Sequence, residues 1–351
     1  MSKNTSLREF GYNFLGPICS EYFQSLLTQC AQLPQPFIGF LAREGYLLNR
    51  IFQTLVAENL IPNYPSAYVL SSRSFLFRIC VADPSTWQWS LTHKFSGSLE
   101  QLLVSRFGLS LAQIHEVFED DDLSMHWYLP EEQEALEAHF YRKRQQLNKI
   151  VKQTKRNYID YLRSIGLTED KSVIFADVGY SGTIQKLITK LLKVDTSAVY
   201  FITSKQGDYN IDENTAHMHA VFKDGVKMGD GYTMLDRSLF LEALLTSPQG
   251  QFLDIAKTSS LNTRKFNFSF GKKAYSQHHL HELQAIFEGA IEACCHFFRH
   301  NIRFSIAEIE MLNERYVTQR HMLPRSTWAL FDVDDAISGN GNVDPLRLFR
   351  L

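Results

Sequence analysis

The sequence predicts an α/β fold with a parallel, Rossmann-like sheet flanked by helices. Short apolar runs of strand length, at 37–41, 67–70 and 173–176, alternate with longer runs in which apolar residues recur every three or four positions. This alternation is typical of parallel sheets, because a helix usually connects one parallel strand to the next. A charged helical stretch interrupts the alternation, and helical patterns dominate the end of the chain. We therefore also expect a helical insertion and a helical C-terminal region.

Residues 1–260 are expected to form the α/β domain that binds the ligand. Its predicted helices include 12–31, with Pro17 near the start, and 46–58, with Leu47, Ile51 and Leu55 on one face. Its predicted strands are 37–41, 67–70, 173–176 and 198–203, with a less regular run at 217–222.

The insertion is expected over about 96–168. Ser98 and Ser110 each have the position of a helix N-cap. Pro130 then precedes a long charged helix that reaches residue 162. The acidic run at 119–122 is expected to be a solvated loop, although a cation site is the less common alternative.

Residues 261–351 are expected to form a helical region that packs on the α/β domain. Apolar residues at helical spacing predict helices over 279–298 and 305–320. The second of these begins with Ser305 and Glu308, which have the spacing of a capping box.

Composition excludes several classes of protein. With 36 Lys and Arg against 38 Asp and Glu, the net charge of −2 gives no support for a nucleic-acid or anionic-membrane surface. The five cysteines are odd in number and lack paired spacing, which favours reduced thiols and a cytoplasmic location. No apolar run approaches the roughly 20 residues of a membrane span, and the first 14 residues lack the apolar core of a signal peptide.

The segment 172–192 carries the strongest functional signal. A buried strand ends at Asp177, and a turn containing Gly179, Ser181, Gly182 and Thr183 leads into an amphipathic helix. The first amides of a helix lack intrahelical partners, and the helix dipole is positive at that end, so a phosphate group fits there. The glycines would allow close approach of the backbone, and the hydroxyls could donate hydrogen bonds.

This turn has an alternative interpretation without a ligand. Ser181 or Thr183 could simply cap the helix of an ordinary strand–helix turn. The segment is not a Walker A loop, because it lacks Gly-Lys-Ser/Thr, and it lacks the third glycine of the dinucleotide fingerprint.

Polar residues follow three of the predicted strands. Arg43 and Glu44 follow the first, Ser72 and Arg73 the second, and Asp177 ends the third. If these strands are parallel neighbours, their carboxyl ends meet in one crevice. Arginine forks match phosphate oxygens, and carboxylates could hold sugar hydroxyls or Mg²⁺, so the set favours a ligand with a pyrophosphate. The alternative is simple ion pairing, for example of Arg43 with Asp177.

Glu242 is a fourth candidate. It is the single carboxylate in the apolar stretch 240–248, and a buried carboxylate needs a partner or a function. A position at a solvent-facing helix edge is an equally open interpretation.

Taken together, five motifs resemble the glycan-specific phosphoribosyltransferase domain of bacterial ribofuranosyltransferases, which act in O-antigen and capsule assembly. The motifs lie at 11–17, 40–48, 71–74, 177–185 and 241–250. Two features depart from the family pattern: Arg-Glu-Gly at 43–45 replaces the more usual Arg-Asp-Gly, and the haloacid-dehalogenase phosphatase domain that usually follows is absent from this sequence.

The resemblance implies transfer of 5-phosphoribose from phosphoribosyl pyrophosphate to a hydroxyl of a lipid-linked or oligosaccharide glycan, with release of pyrophosphate. By this resemblance, Arg43 and Arg73 with Mg²⁺ stabilise the pyrophosphate, and the turn from Gly179 to Thr183, together with Ser72, binds donor phosphate. Asp177 holds a ribose hydroxyl or the metal, and Glu44 or Glu242 accepts the acceptor's proton. A separate phosphatase would then act on the product.

Two other functions remain open from the sequence. The chain could be a non-catalytic phosphate-ligand-binding protein of a polysaccharide locus, which would show no donor turnover. It could also be a phosphosugar hydrolase, which would release orthophosphate without any acceptor.

Overall fold

The computed structural model describes residues 3–119, 122–258, 265–335 and 341–351. Within these ranges the strands are β1 Pro36–Leu41, β2 Ser66–Val69, β3 Phe95–Ser98, β4 His126–Leu129, β5 Ser172–Asp177, β6 Thr196–Thr203, β7 Gly207–Ile211, β8 Asn214–Asp224, β9 Phe252–Lys257, β10 Phe266–Phe270, β11 Val333–Asp335 and β12 Gly341–Val343.

Helices surround these strands. They are α1 Lys3–Phe10, α2 Gly16–Ala31, α3 Gly45–Ala57, α4 Arg73–Cys80, α5 Trp87–Ser90, α6 Leu99–Ser105, α7 Leu111–Val117, α8 Gln133–Ser164, α9 Thr183–Leu192, α10 Thr233–Asp236, α11 Leu239–Leu244, α12 Tyr275–His278, α13 Leu280–Arg299, α14 Ile306–Thr318 and α15 Pro345–Leu348. A π-helical turn, Gly11–Leu15, joins α1 to α2, and 3₁₀ turns lie at Pro84–Thr86, Arg320–Met322 and Arg325–Leu330.

The main sheet has six strands in the order β2-β1-β5-β6-β8-β7. Every neighbouring pair from β2 to β8 is parallel, and only the edge strand β7 runs antiparallel, against β8. The predicted α/β fold with a parallel sheet, flanking helices and a helical C-terminal region is thus confirmed.

Both faces of the central strands β1 and β5 are buried, which explains why these two strands are largely apolar. In β5, Ile174 and Ala176 belong to a core shared with α2, α3, α11 and α13. Val173 and Phe175, on the opposite face, belong to a second core shared with α4, α6, α8 and α9. Because successive strand residues point to opposite faces, β5 anchors both helical layers.

The first helix begins earlier than the sequence predicts. It starts at Lys3 rather than at residue 12, and the π-helical turn lies where the predicted start was. Gly11 lies in this turn against α13, so closely that a Cβ there would overlap the carbonyl oxygen of Ile286. The glycine marks a close helix–helix contact and not a helix boundary.

Several strands were not predicted. The insertion contains an antiparallel strand pair, β3–β4, besides its helices. Beyond residue 265, the strand β10 pairs with the earlier strand β9. Phe266, Phe268 and Phe270 recur with the period of two that indicates a strand, so the end of the chain is less uniformly helical than expected. The middle of the acidic run at 119–122, positions 120 and 121, lies outside the described residues.

The C-terminal helices pack on the sheet's helical layer. Helix α13 contacts α1, the π-helical turn, α2 and α3. Glu21 of α2 accepts hydrogen bonds from Arg303 Nε at 3.0 Å and from the Phe304 amide at 2.9 Å. All five cysteines carry free thiols. Over the described ranges no helix is both long and apolar enough to cross a membrane.

Candidate functional site

The three strand ends singled out from the sequence lie side by side. Strand β1 is parallel to β2 on one side, where Leu41 is paired with Val69. On its other side β1 is parallel to β5, where Phe40 is paired with Ala176. The residues that follow these strands therefore meet at one edge of the sheet, as ligand-binding residues of open α/β sheets do.

Asp177 is buried at the end of β5, with its side chain 9% exposed. Its Oδ1 accepts a hydrogen bond from the Val178 amide at 2.8 Å. Burial raises the pKa of Asp177 well above its usual value, and the nearby Glu44 and Glu242 carboxylates raise it further, while Arg73 offsets part of this rise. Burial and the neighbouring carboxylates therefore disfavour ionisation of Asp177.

Glu242 belongs to the same cluster. It lies in α11, is partly buried, and accepts a hydrogen bond from the Tyr180 hydroxyl at 3.3 Å. Burial and the charge of Glu44 raise the pKa of Glu242, and Arg73 lowers it. Of the two interpretations open from the sequence, the structure supports a carboxylate with a partner and not one at a solvent-facing edge.

The arginines of the cluster remain available to a ligand. Among the residues that the structure describes, neither Arg43 nor Arg73 forms an ion pair with a carboxylate, so the simple pairing of Arg43 with Asp177 is not found. Glu44 instead accepts a hydrogen bond from the amide of Arg43 at 3.0 Å. The guanidinium of Arg73 still lies close enough to lower the pKa values of Asp177 and Glu242.

The turn after β5 differs from an ordinary capped turn. The N-cap of α9 is Gly182, at φ +64°, and no side chain caps the helix. Neither Ser181 nor Thr183 serves as the cap, because their hydroxyls bond to each other at 3.0 Å. The backbone N–H groups at the start of α9 thus lack a side-chain acceptor, which leaves a place for an anion.

Packing also requires the two glycines of this turn. Gly179 has φ +136°, and a Cβ there would overlap the carbonyl oxygen of Ile202 in β6. A Cβ at Gly182 would overlap Met218 of β8. The peptide bonds Gly179–Tyr180 and Ala42–Arg43 are both cis. The glycines therefore hold the turn against the sheet, whatever it binds.

Ser72 has a structural partner. Its hydroxyl caps α4 by accepting from the Phe75 amide at 3.3 Å, and it donates to the carbonyl oxygen of Phe252 at 2.7 Å. The hydroxyl proton is thus already committed, and what Ser72 contributes to the site is the position of Arg73, the first residue of α4.

An open cleft of about 760 Å³ lies beside these residues. The sheet side contributes Arg43, Glu44, Ser72 and Arg73, and the segment that leads into the insertion contributes His93, Lys94, Ser96, Gln101 and Arg106. Ile184, in the first turn of α9, also lines it. The residues from 93 to 106 were missed in the sequence, because single basic residues in a loop carry no motif.

The carboxylates do not form a resident metal site. Across the described ranges, no group of three or more His, Cys, Asp or Glu side chains is placed to hold a metal ion. The geometry therefore gives no support for a metal bound by Asp177 in the free protein.

Comparison with known proteins does not place the chain in a family. No family model matches the sequence, and no curated protein matches it either. Basic side chains and Glu44 line the cleft, Ile184 at the start of α9 borders it, and Asp177 and Glu242 lie close enough to Glu44 for its charge to raise their pKa values.

Proposed function

We propose that the chain is a phosphoribosyltransferase-type glycosyltransferase. It would move 5-phosphoribose from phosphoribosyl pyrophosphate to a hydroxyl of a surface-polysaccharide glycan acceptor. The observation that carries this proposal is the convergence of unpaired Arg43 and Arg73 with Glu44 and Asp177 at one sheet edge. Cations suit the phosphates of such a donor, and carboxylates suit its sugar and the acceptor hydroxyl.

The donor would lie between the arginines and the start of α9. Its pyrophosphate would meet the guanidinium groups of Arg43 and Arg73, which line the cleft. Its 5-phosphate would accept from the N–H groups of the turn 179–183, which no side chain caps. Ile184 borders both regions, so a single extended ligand could reach from one to the other.

The reaction would break the bond between the ribose anomeric carbon and the pyrophosphate oxygen, which leaves with the electron pair. The acceptor hydroxyl oxygen forms the new bond to that carbon and loses its proton. Arginine charge stabilises the leaving group as its negative charge grows. We assign the proton to Glu44, because this carboxylate lines the cleft.

Asp177 and Glu242 would have other roles. Burial raises the pKa values of both carboxyls, which favours protonation of each. A protonated carboxyl donates a hydrogen bond, and we assign to Asp177 the donation of one to a ribose hydroxyl. Mg²⁺, which we propose as the cofactor, would enter bound to the donor's phosphates, a mode that needs few protein ligands.

The proposal includes the surroundings of the reaction. The acceptor would be a lipid-linked or oligosaccharide glycan, and a separate phosphatase would remove the 5-phosphate from the product. Nucleic acid is not an expected partner, because the net charge is −2. Five free thiols support a cytoplasmic location.

Calorimetric titration with phosphoribosyl pyrophosphate, with and without Mg²⁺, tests the donor site. Wild type should bind saturably, and Asp177→Ala should lose the binding. Absence of binding to wild type under both conditions would exclude this function. Binding without turnover in the presence of glycan acceptors would favour a non-catalytic binding protein, and orthophosphate release without an acceptor would favour a hydrolase.

A further inference from the structure

The segment between α5 and α6 is held in place by one partly buried side chain. Arg106 donates from Nη1 to the carbonyl oxygens of Ser90 at 3.1 Å and His93 at 2.9 Å. It also donates from Nη2 to the carbonyl oxygen of Lys94 at 2.9 Å. Its guanidinium lies 5.4 Å from the ring centre of Phe95. Burial lowers the pKa of Arg106 to about 10, so it remains charged at neutral pH.

This arrangement presents Lys94 to the cleft. Lys94 is exposed and lines the cleft, and among the described residues it has no carboxylate partner. Helix α6, which follows, begins with a complete capping box between Ser98 and Gln101. The backbone on both sides of Lys94 is thus fixed, while its ammonium group is uncommitted.

The charge of the cleft fits a ligand with more than one negative charge. Arg43, Arg73, Lys94 and Arg106 line it, against the two carboxylates Glu44 and Glu100. His93 adds little charge, because burial together with Arg73 and Arg106 lowers its pKa. The cations come from two separate parts of the chain, one at the sheet edge and one leading into the insertion. A diphosphate has two phosphate groups to meet them.

We propose that Lys94 is a specificity-determining residue that binds the second phosphate of a diphosphate ester held at Arg43 and Arg73, and that Arg106 is the positioning residue for Lys94. The inference rests on the proposed function, since the donor of that reaction carries a diphosphate. A lipid-linked acceptor would carry one too. The shared chemistry is the diphosphate, and an orthophosphate would engage only one side of the cleft.

Calorimetry on the full chain tests this with inorganic pyrophosphate and orthophosphate. Lys94→Ala should weaken pyrophosphate binding about tenfold, the loss of one charge-assisted contact, and leave orthophosphate binding nearly unchanged. The matched control is Lys152→Ala, which removes another exposed lysine of the insertion, on α8. The proposal would be overturned if Lys94→Ala and Lys152→Ala lost equal affinity for pyrophosphate, or if Lys94→Ala lost equal affinity for pyrophosphate and orthophosphate. Absence of pyrophosphate binding to wild type would overturn it as well.

A double mutant separates positioning from general structural damage. Arg106→Met should weaken pyrophosphate binding as Lys94→Ala does, and the two changes together should cost no more than one of them, because Arg106 acts through Lys94. Lys94→Arg should recover most of the affinity. Additive losses would remove Arg106 from the role of positioning residue.

Two ester ligands identify the source of the diphosphate and keep the proposals distinguishable. A loss of affinity for phosphoribosyl pyrophosphate in Lys94→Ala assigns the subsite to the donor, and a loss only for a soluble prenyl diphosphate assigns it to the acceptor. Wild type that binds pyrophosphate but not phosphoribosyl pyrophosphate would refute the proposed function and retain the diphosphate subsite. Normal binding of both esters by Lys94→Ala would refute the subsite alone.

Discussion

Glu44 and Asp177 follow neighbouring parallel strands, close enough for the Glu44 carboxylate to raise the pKa of the Asp177 carboxyl. Glu242 acts on Asp177 in the same direction, and Arg73 compensates only in part. Three acidic side chains thus lie together in a partly buried region, and their burial and mutual repulsion cost free energy in the folded state. Carboxyl groups with pKa values perturbed by burial and by one another are characteristic of functional sites.

The first prediction concerns stability. Asp177→Asn should raise the melting temperature by roughly 2–4 °C at pH 8, since it removes a buried group whose ionisation is disfavoured in the folded state. The amide oxygen of asparagine can still accept from the Val178 amide. The measurement is thermal unfolding of variant and wild type by circular dichroism.

The pH dependence supplies the control. A raised folded-state pKa means that the folded protein binds the proton more tightly, so the destabilisation is absent below the unfolded pKa of about 4 and grows as pH rises above it. The increase in melting temperature caused by Asp177→Asn should therefore be small at pH 4.5 to 5 and larger at pH 8. A difference that is constant over this range would show that the ionisation of Asp177 is not its cause.

The second prediction concerns the arginines. Arg43→Ala should weaken binding of phosphoribosyl pyrophosphate by roughly 10- to 100-fold, the cost of about 1.5–3 kcal/mol for a lost hydrogen bond to a charged group. Arg142→Ala is the control, because Arg142 lies on the exposed surface of α8. Calorimetry on both variants decides: similar affinities would remove Arg43 from the site.

The sequence predicted the strand ends well, because their signals are local. A buried strand that ends at Asp177, or that is followed by Arg43 and Glu44, is visible in a few consecutive residues. The alternation of strands and helices then predicts that such strands are parallel neighbours. The basic side of the cleft could not be read this way. Lys94 and Arg106 belong to it only because the folded insertion brings them to the sheet edge.

Other errors came from tertiary contacts that override local pattern. The helix predicted from residue 12 follows an earlier helix that begins at Lys3, and Gly11 between them permits the close contact with α13. The alternative in which Ser181 or Thr183 caps α9 is not found, because the left-handed Gly182 is the N-cap. Ser72 looked like a phosphate ligand, and its hydroxyl proton is donated to Phe252, which is remote in sequence.

The third prediction separates packing from backbone strain at Gly182. Gly182→Ala should destabilise the protein by about 1–3 kcal/mol, because alanine is disfavoured at φ +64° and its Cβ would displace the end of the Met218 side chain. Gly225→Ala is matched in φ, at +72°, but a Cβ there meets nothing within 4 Å. Gly225→Ala should therefore destabilise the protein by only about 1 kcal/mol, the cost of the positive φ alone. Urea unfolding of both variants measures the difference, and equal costs would show that contact with Met218 is unimportant.

The fourth prediction compares two Glu–Arg pairs that tie the C-terminal helices to the α/β core. Glu21 is 5% exposed and accepts from both Arg303 and the Phe304 amide. Glu21→Ala should therefore cost about 1–3 kcal/mol, since it leaves the Phe304 amide without its acceptor, while water can reach the Arg303 guanidinium, which is 55% exposed. Glu58 is 52% exposed, and its one ion pair within the described ranges is with Arg299, at 3.2 Å.

Glu58→Ala should cost less than about 1 kcal/mol, because water screens an exposed pair and replaces its hydrogen bond. Urea unfolding of the two variants gives the comparison, and salt sharpens it: 0.5 M NaCl should erase most of the Glu58 effect and little of the Glu21 effect. If both variants lose the same stability, burial of Glu21 against the segment 303–304 does not hold the C-terminal helices. The attachment would then depend on the apolar contacts of α13 alone.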